Sequence, residues 1–159
     1  MDRSPTPGQL MGTQLRHVLE LLDGDVAKIY SDLGLDGFRP RYTPLVRVLS
    51  DRGPSSIRDL AAAVSVTHSA ASQTVAQLAR DGLVVLESGA DARQRIVALT
   101  PKAHSLLPIL DTEWDATVAA AAELEAELPY SLMDLLQAVV AALQDRPFHQ
   151  RVTEQLTRK

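Results

Sequence analysis

The chain contains no cysteine, which excludes disulfides, thiolate zinc sites, cysteine nucleophiles and thiol redox sensing. Aromatic residues make up only 4% of it, while alanine is abundant, a balance that suits close-packed helices better than a β-sandwich. No apolar run reaches the ~18 residues needed to span a membrane. The start, Met1-Asp2-Arg3-Ser4-Pro5-Thr6-Pro7, has no apolar signal region, so a soluble cytoplasmic protein without a membrane partner is the expectation. His17, His68, His104 and His149 form no close His-x-x-x-His or His-Glu pair, and no metal site is expected. Nucleophile elbow, phosphate loop and zinc-hydrolase motifs are all missing, so neither an enzyme nor a cofactor is expected.

What is present is enough for one packed domain with extensions: 159 residues, 45% of them apolar. The net charge of −4 speaks against a polyanionic partner until its distribution is considered. Residues 39–102 carry nine bases and five acids, or +4, and the remainder carries seven bases and fifteen acids, or −8. A basic middle between acidic ends is a regional field able to steer a nucleic acid.

Residues 1–8 hold two prolines and a glycine and read as a loose arm. Over 9–33, Leu15, Leu19, Leu22, Val26, Ile29 and Leu33 recur at steps of four and three, which predicts a long amphipathic helix ended by Gly34 and Gly37. A second helix is expected over 42–49, with Thr43 as cap before Pro44 and Gly53-Pro54 as its breaker. Ser55 or Ser56 caps a short third helix that buries Ile57, Leu60 and Val64. The fourth, over 67–80, takes Thr67 as cap and buries Ala71, Val75 and Leu78, with Gly82 at its exit suited to positive φ. Residues 83–87 and 95–99 are strand-length apolar runs joined by a turn, and such a ribbon must lean on the helices. Thr100-Pro101 opens a fifth helix containing Pro108, which is expected to kink it or leave one turn poorly bonded. Pro129 ends it, a sixth helix follows over 131–143, and Pro147 stops that one, leaving 147–159 as a tail.

Two short helices, a tight turn and a two-stranded ribbon with a basic tip make a winged helix-turn-helix, a device that places one helix in the DNA major groove. The segments Leu78-Ala79-Arg80-Asp81-Gly82-Leu83-Val84, Asp91-Ala92-Arg93 and Leu99-Thr100-Pro101-Lys102 give this pattern a family likeness. In them the chain resembles the multiple antibiotic resistance regulator (MarR) family of bacterial transcription factors. The resemblance covers most of the chain, from about Gln9 to Leu143, within a domain set at 9–146. It implies a mainly helical fold with a small β-ribbon, in which 39–100 form the winged module and the helices within 9–38 and 101–146 form a homodimerisation platform. It also implies a partner in double-stranded DNA and a regulator, read as a repressor on a pseudo-palindromic operator.

Under that resemblance Arg93 is the wing-tip residue, its guanidinium suited to the focused negative potential of a narrow minor groove. Asp91 structures the wing by pairing with an arginine, and Arg95 is a phosphate candidate on the ribbon. The recognition helix offers Thr67, His68, Ser69, Ser72 and Gln73, of which glutamine can bond adenine through two atoms. Arg52 and Arg58 flank the motif as phosphate contacts, which position a protein without specifying sequence. No Arg or Lys occurs over 67–79, whereas family members often carry a base where Gln73 stands. The arginine–guanine contact is therefore unavailable there, and more of the affinity falls to Arg93 and the phosphates. Small-molecule response is a family habit, and His17, Leu21, Tyr42, Val46, Trp114 and Val118 are the candidate pocket for a small aromatic or carboxylate effector. The competing reading is a winged-helix protein–protein interaction module without specific DNA binding.

Overall fold

The computed structural model describes residues 7–88 and 95–158. It divides the chain into two compact units, Met1–Leu110 and Asp111–Lys159. The first unit contains α1 (Pro7–Asp32), a 3₁₀ turn (Pro40–Tyr42), α2 (Thr43–Arg52), β1 (Ser55–Ser56), α3 (Ile57–Ala63), α4 (His68–Arg80), β2 (Val84–Ser88), β3 (Arg95–Leu99) and the first turns of α5 (Pro101–Glu127). The second holds the rest of α5, α6 (Leu132–Asp145) and α7 (Phe148–Thr157).

The caps explain where the short helices begin. Ser56 Oγ accepts the amide of Asp59 at 3.1 Å and donates to its carboxylate at 2.7 Å. Thr67 Oγ1 accepts the amide of Ala70, and Thr100 Oγ1 that of Ala103, each at 3.2 Å. These bonds satisfy amides that a helix start otherwise leaves open. Thr43 does not have the capping role expected of it. The 3₁₀ turn has already wound the backbone, so Thr43 is helical and its amide reaches Pro40 O, while its hydroxyl meets that of Tyr30 at 2.7 Å.

Three helix exits share one device. The amides of Leu35, Val66 and Leu83 reach back five residues to Tyr30, Ala61 and Leu78, and those of Gly34, Ser65 and Gly82 reach back three. This double closure needs a left-handed residue at the pivot. Gly34 (φ 72°) and Gly82 (φ 71°) adopt it without strain; Ser65 (φ 56°) adopts it with a side chain.

The sheet has three antiparallel strands in the order β1-β3-β2, with Ser55 opposite Val97 and Leu86 opposite Val97 from the other side. Only two strands were expected; the third is a two-residue segment just before α3. The core of this unit joins Leu45, Val46 and Leu49 of α2, Leu60 and Ala61 of α3, Ala71, Val75 and Leu78 of α4, and Val84 and Val97 of the ribbon. Ile57 and Val64, expected inside, are only half-buried. Pro108 lies within an uninterrupted helix.

In the second unit Ser131 caps α6 through the amide of Asp134 at 3.1 Å. The stretch after Pro147, expected as a tail, is helical over Phe148–Thr157. Arg151 holds it to the end of α6 by donating to the carbonyls of Ala142 (2.8 Å) and Arg146 (2.9 Å), and Arg146 bridges to Glu154 at 3.2 Å. A cation on carbonyls at a helix C-terminus is favourable for the same reason that the helix dipole is.

Substituting Ser65→Val lowers stability by about 1–2 kcal/mol, since a β-branched side chain is most strained in that conformation. Ser65→Gly is neutral or stabilising by up to about 1 kcal/mol. Urea unfolding of both variants checks this, and an unchanged midpoint for Ser65→Val would remove the strain argument.

Candidate nucleic-acid interface

Helix α4 carries the expected division between faces. Ala71, Val75 and Leu78 are buried, His68, Ser69 and Gln73 are exposed, and Ser72 is half-buried. Thr67 caps the helix from an exposed position. The five polar residues therefore share the N-terminal end of one helix, where free amides and the positive end of the dipole favour a phosphate. Arg80, also exposed, is the only cation on α4 and stands in its last turn.

The flanking cations are placed variously. Arg52 is exposed in the last turn of α2. Arg58 is exposed on α3, 3.8 Å from Asp59 Oδ1, a surface pair too loose to hold the guanidinium back from another anion. Arg95 is exposed at the start of β3, opposite Ser88. The wing-tip residues Arg93 and Asp91 lie outside the described residues.

The turn that leaves α4 is bonded from three sides. Thr100 Oγ1 donates to Gly82 O at 2.8 Å, the Thr100 amide donates to Leu83 O at 3.0 Å, and Lys102 Nζ donates to Asp81 O at 2.8 Å. Tyr42 donates its hydroxyl to Asp81 Oδ2 at 2.6 Å. Two of the segments that carry the family likeness, Asp81-Gly82-Leu83 and Leu99-Thr100-Pro101-Lys102, are thus hydrogen-bonded to each other. None of these roles was visible in the spacing of residues, because each bond joins positions 17 to 39 apart in sequence.

Tyr42 is fully buried. Its ring meets Phe38 edge-on at 5.7 Å, and Phe38 meets Tyr30 edge-on at 5.2 Å. Burial first, and then the bond to Asp81, raise the phenol above its ordinary pKa of 10.0.

The six residues expected around an effector are divided between the two units. Tyr42 and Val46 are in the core of the first unit, His17 and Leu21 are exposed on α1, and Trp114 (buried) and Val118 (exposed) belong to the second unit. A groove of about 550 Å³ instead runs along α1 beside the 3₁₀ turn, lined by Arg16, Leu19, Glu20, Asp23, Gly24, Ala27, Arg39, Pro40 and Arg41. It was missed because its cations come from two separate segments. No group of three metal-ligating side chains occurs among the described residues, and no single helix there is long and apolar enough to cross a membrane.

Because Tyr42 is neutral and buried, its contribution to stability is complete below about pH 10 and is lost as pH rises through its raised folded-state pKa. Melting temperatures measured from about pH 8.5 to about pH 11.5 fall more steeply for the wild type than for Tyr42→Phe; parallel curves would contradict the assignment.

The comparisons with known proteins agree with this geometry. A model of the MarR family matches residues 36–94, which span the helix-turn-helix and the first strand of the ribbon, β2. No curated protein matches the chain. Among solved structures, the M. tuberculosis transcriptional regulator MosR in complex with DNA is 23% identical, with a TM-score of 0.65 over 84% of this chain and 96% of that one. BpsR of Bordetella bronchiseptica, whose DNA binding is regulated by 6-hydroxynicotinic acid, is 16% identical, with a TM-score of 0.56 over 91% and 97%. NadR in complex with 4-hydroxyphenylacetate is 21% identical, with a TM-score of 0.51 over 90% and 96%. Residues 36–94 thus carry the sequence pattern of MarR-family transcriptional regulators, and over most of its length the chain has the fold of solved regulators of that kind.

Proposed function

We propose that the protein is a homodimeric repressor that reads a pseudo-palindromic operator with α4 and the wing and is released by a small aromatic or carboxylate effector. The observation that carries the reading is the capped helix α4, with its apolar face buried in the winged unit and Thr67, His68, Ser69 and Gln73 left open at its N-terminal end. Gln73 and the hydroxyl residues are the base-reading groups, while Arg93, Arg95, Arg52 and Arg58 are the phosphate and groove contacts. With no cation early in α4, the electrostatic share of binding rests on those arginines.

A second copy of the chain is the natural cover for the apolar surface left open. Leu15, Val18, Leu19 and Leu22 are exposed on α1, and Leu135, Leu136, Val139, Val140 and Leu143 on α6. Helix α6 has no buried residue at all, although its sequence is among the most apolar in the chain. Such faces mark an interface rather than a solvated surface. A symmetric pair would present two copies of α4 to successive major-groove faces roughly 34–36 Å apart.

The effector reading draws on what BpsR and NadR bind and on the groove along α1, where Arg16, Arg39 and Arg41 stand beside Leu19, Ala27 and Pro40. Cations beside apolar walls suit an aromatic carboxylate. Such a ligand acts only through unequal affinity for DNA-competent and incompetent dimers.

Fluorescence anisotropy with duplex DNA selected from genomic fragments tests the reading. The wild type binds tightly, with affinity falling steeply as salt rises, by about 0.9 in log–log slope per phosphate contact. Arg93→Ala costs roughly 1–3 kcal/mol, and Arg95→Ala flattens the slope by about one contact. Sequence-blind binding unchanged by either variant would sink the reading, and adding benzoate-class carboxylates to the same titration tests release. Sedimentation gives twice 17.2 kDa for the wild type. Val140→Glu shifts it toward the monomer and weakens operator binding with it.

A further inference from the structure

We infer that Tyr42 and Asp81 form a positioning pair that sets where the recognition helix stands relative to the end of α1, and that this pair contributes to sequence discrimination. The inference rests on α4 being the helix that reads DNA.

The two residues have unequal freedom. Tyr42 is fully buried, immobilised by the edge-on rings of Phe38 and Tyr30 and by its place between the 3₁₀ turn and α2. Asp81 is the residue at which α4 stops, and it is only half-buried. On one side it lines a cavity of about 300 Å³ together with Phe38, Leu83, Lys102 and Leu106, so packing alone does not hold it. Its main chain is held by Lys102 and Gln77, and its side chain by the hydrogen bond from the phenol. At 2.6 Å, with a carboxylate oxygen as acceptor, it belongs to the stronger class of such bonds.

The bond joins two bodies that are otherwise separate in sequence. On the Tyr42 side lies the end of α1, tied in by Tyr30 through its ring contact with Phe38 and its hydroxyl contact with Thr43. On the Asp81 side lies α4, whose exit Lys102 and Thr100 clamp to the ribbon and to α5. Lys102 and Thr100 bind main-chain oxygens and therefore shape the turn. Tyr42 binds the side chain and therefore ties the helix to α1. A recognition helix short of cations depends on well-placed hydrogen bonds from Ser and Gln, which tolerate displacement poorly. Phosphate contacts by long arginines tolerate it well. Loss of the pair should consequently be felt on the specific sequence and hardly at all on random DNA.

The test compares Tyr42→Phe, Asp81→Ala and Asp81→Asn with the wild type on two probes: a duplex obtained by selection with the wild-type protein, and a scrambled duplex of the same length. Tyr42→Phe and Asp81→Ala are expected to weaken the selected duplex about tenfold, the scale of one charge-assisted hydrogen bond, and the scrambled duplex less than about twofold. Asp81→Asn keeps an acceptor oxygen and is expected to stay within about threefold on both. Thermal melting confirms that each variant is folded at the assay temperature, and if Tyr42→Phe is not, Asp81→Ala carries the comparison. Equal binding by wild type and variants, or an equal loss on both duplexes, overturns the inference while leaving DNA recognition standing. Failure of the wild type to select any sequence overturns the recognition reading and the inference with it.

Discussion

The turn at Asp81-Gly82-Leu83 is the constraint on which the winged unit depends. Here the recognition helix must stop, reverse and start a strand within three residues. Gly82 supplies the left-handed pivot and the amide of Leu83 closes back on Leu78. That geometry leaves carbonyls pointing outward, and Thr100 and Lys102 accept the task of satisfying them. They bind the end of the ribbon and the start of α5 to the end of α4, so that helix, wing and following helix meet at one point.

From that point the chemistry of recognition follows. Helix α4 is held at its exit and left free at its entry, where Thr67, His68, Ser69 and Gln73 are exposed. A helix whose reading groups are uncharged cannot rely on long-range attraction to find its register. In the recognition proposed above, the regional charge of the module, with Arg93 and Arg95, supplies attraction, while hydroxyls and an amide supply selectivity. Division of labour of this kind makes placement of α4 more important than it would be for an arginine-bearing helix.

Much of this was legible beforehand because it is local. The capping roles of Ser56, Thr67 and Thr100, the buried face of Ala71, Val75 and Leu78, and the positive φ of Gly82 all follow from residue type and from spacings of three or four. The Thr43 cap failed because the 3₁₀ turn before it had already wound the backbone, and a tight turn of Pro-Arg-Tyr leaves no periodic trace. The helix after Pro147 was passed over because its holding contacts are carbonyls of the preceding helix, satisfied by Arg151.

The sequence by itself determined the order of the longer helices and the two ribbon strands, the caps at Ser56, Thr67 and Thr100, and the winged pattern, because these depend on near neighbours and on periodicity that a linear chain displays. Only the tertiary structure decided which residues bind across the fold. It placed Ser55 and Ser56 as a third strand on β3, asked a serine rather than a glycine to take the left-handed turn before α4, and set Tyr42 against Asp81. Those choices arise when distant segments compete for the same unsatisfied oxygens and amides. No single segment carries that competition in its own residues.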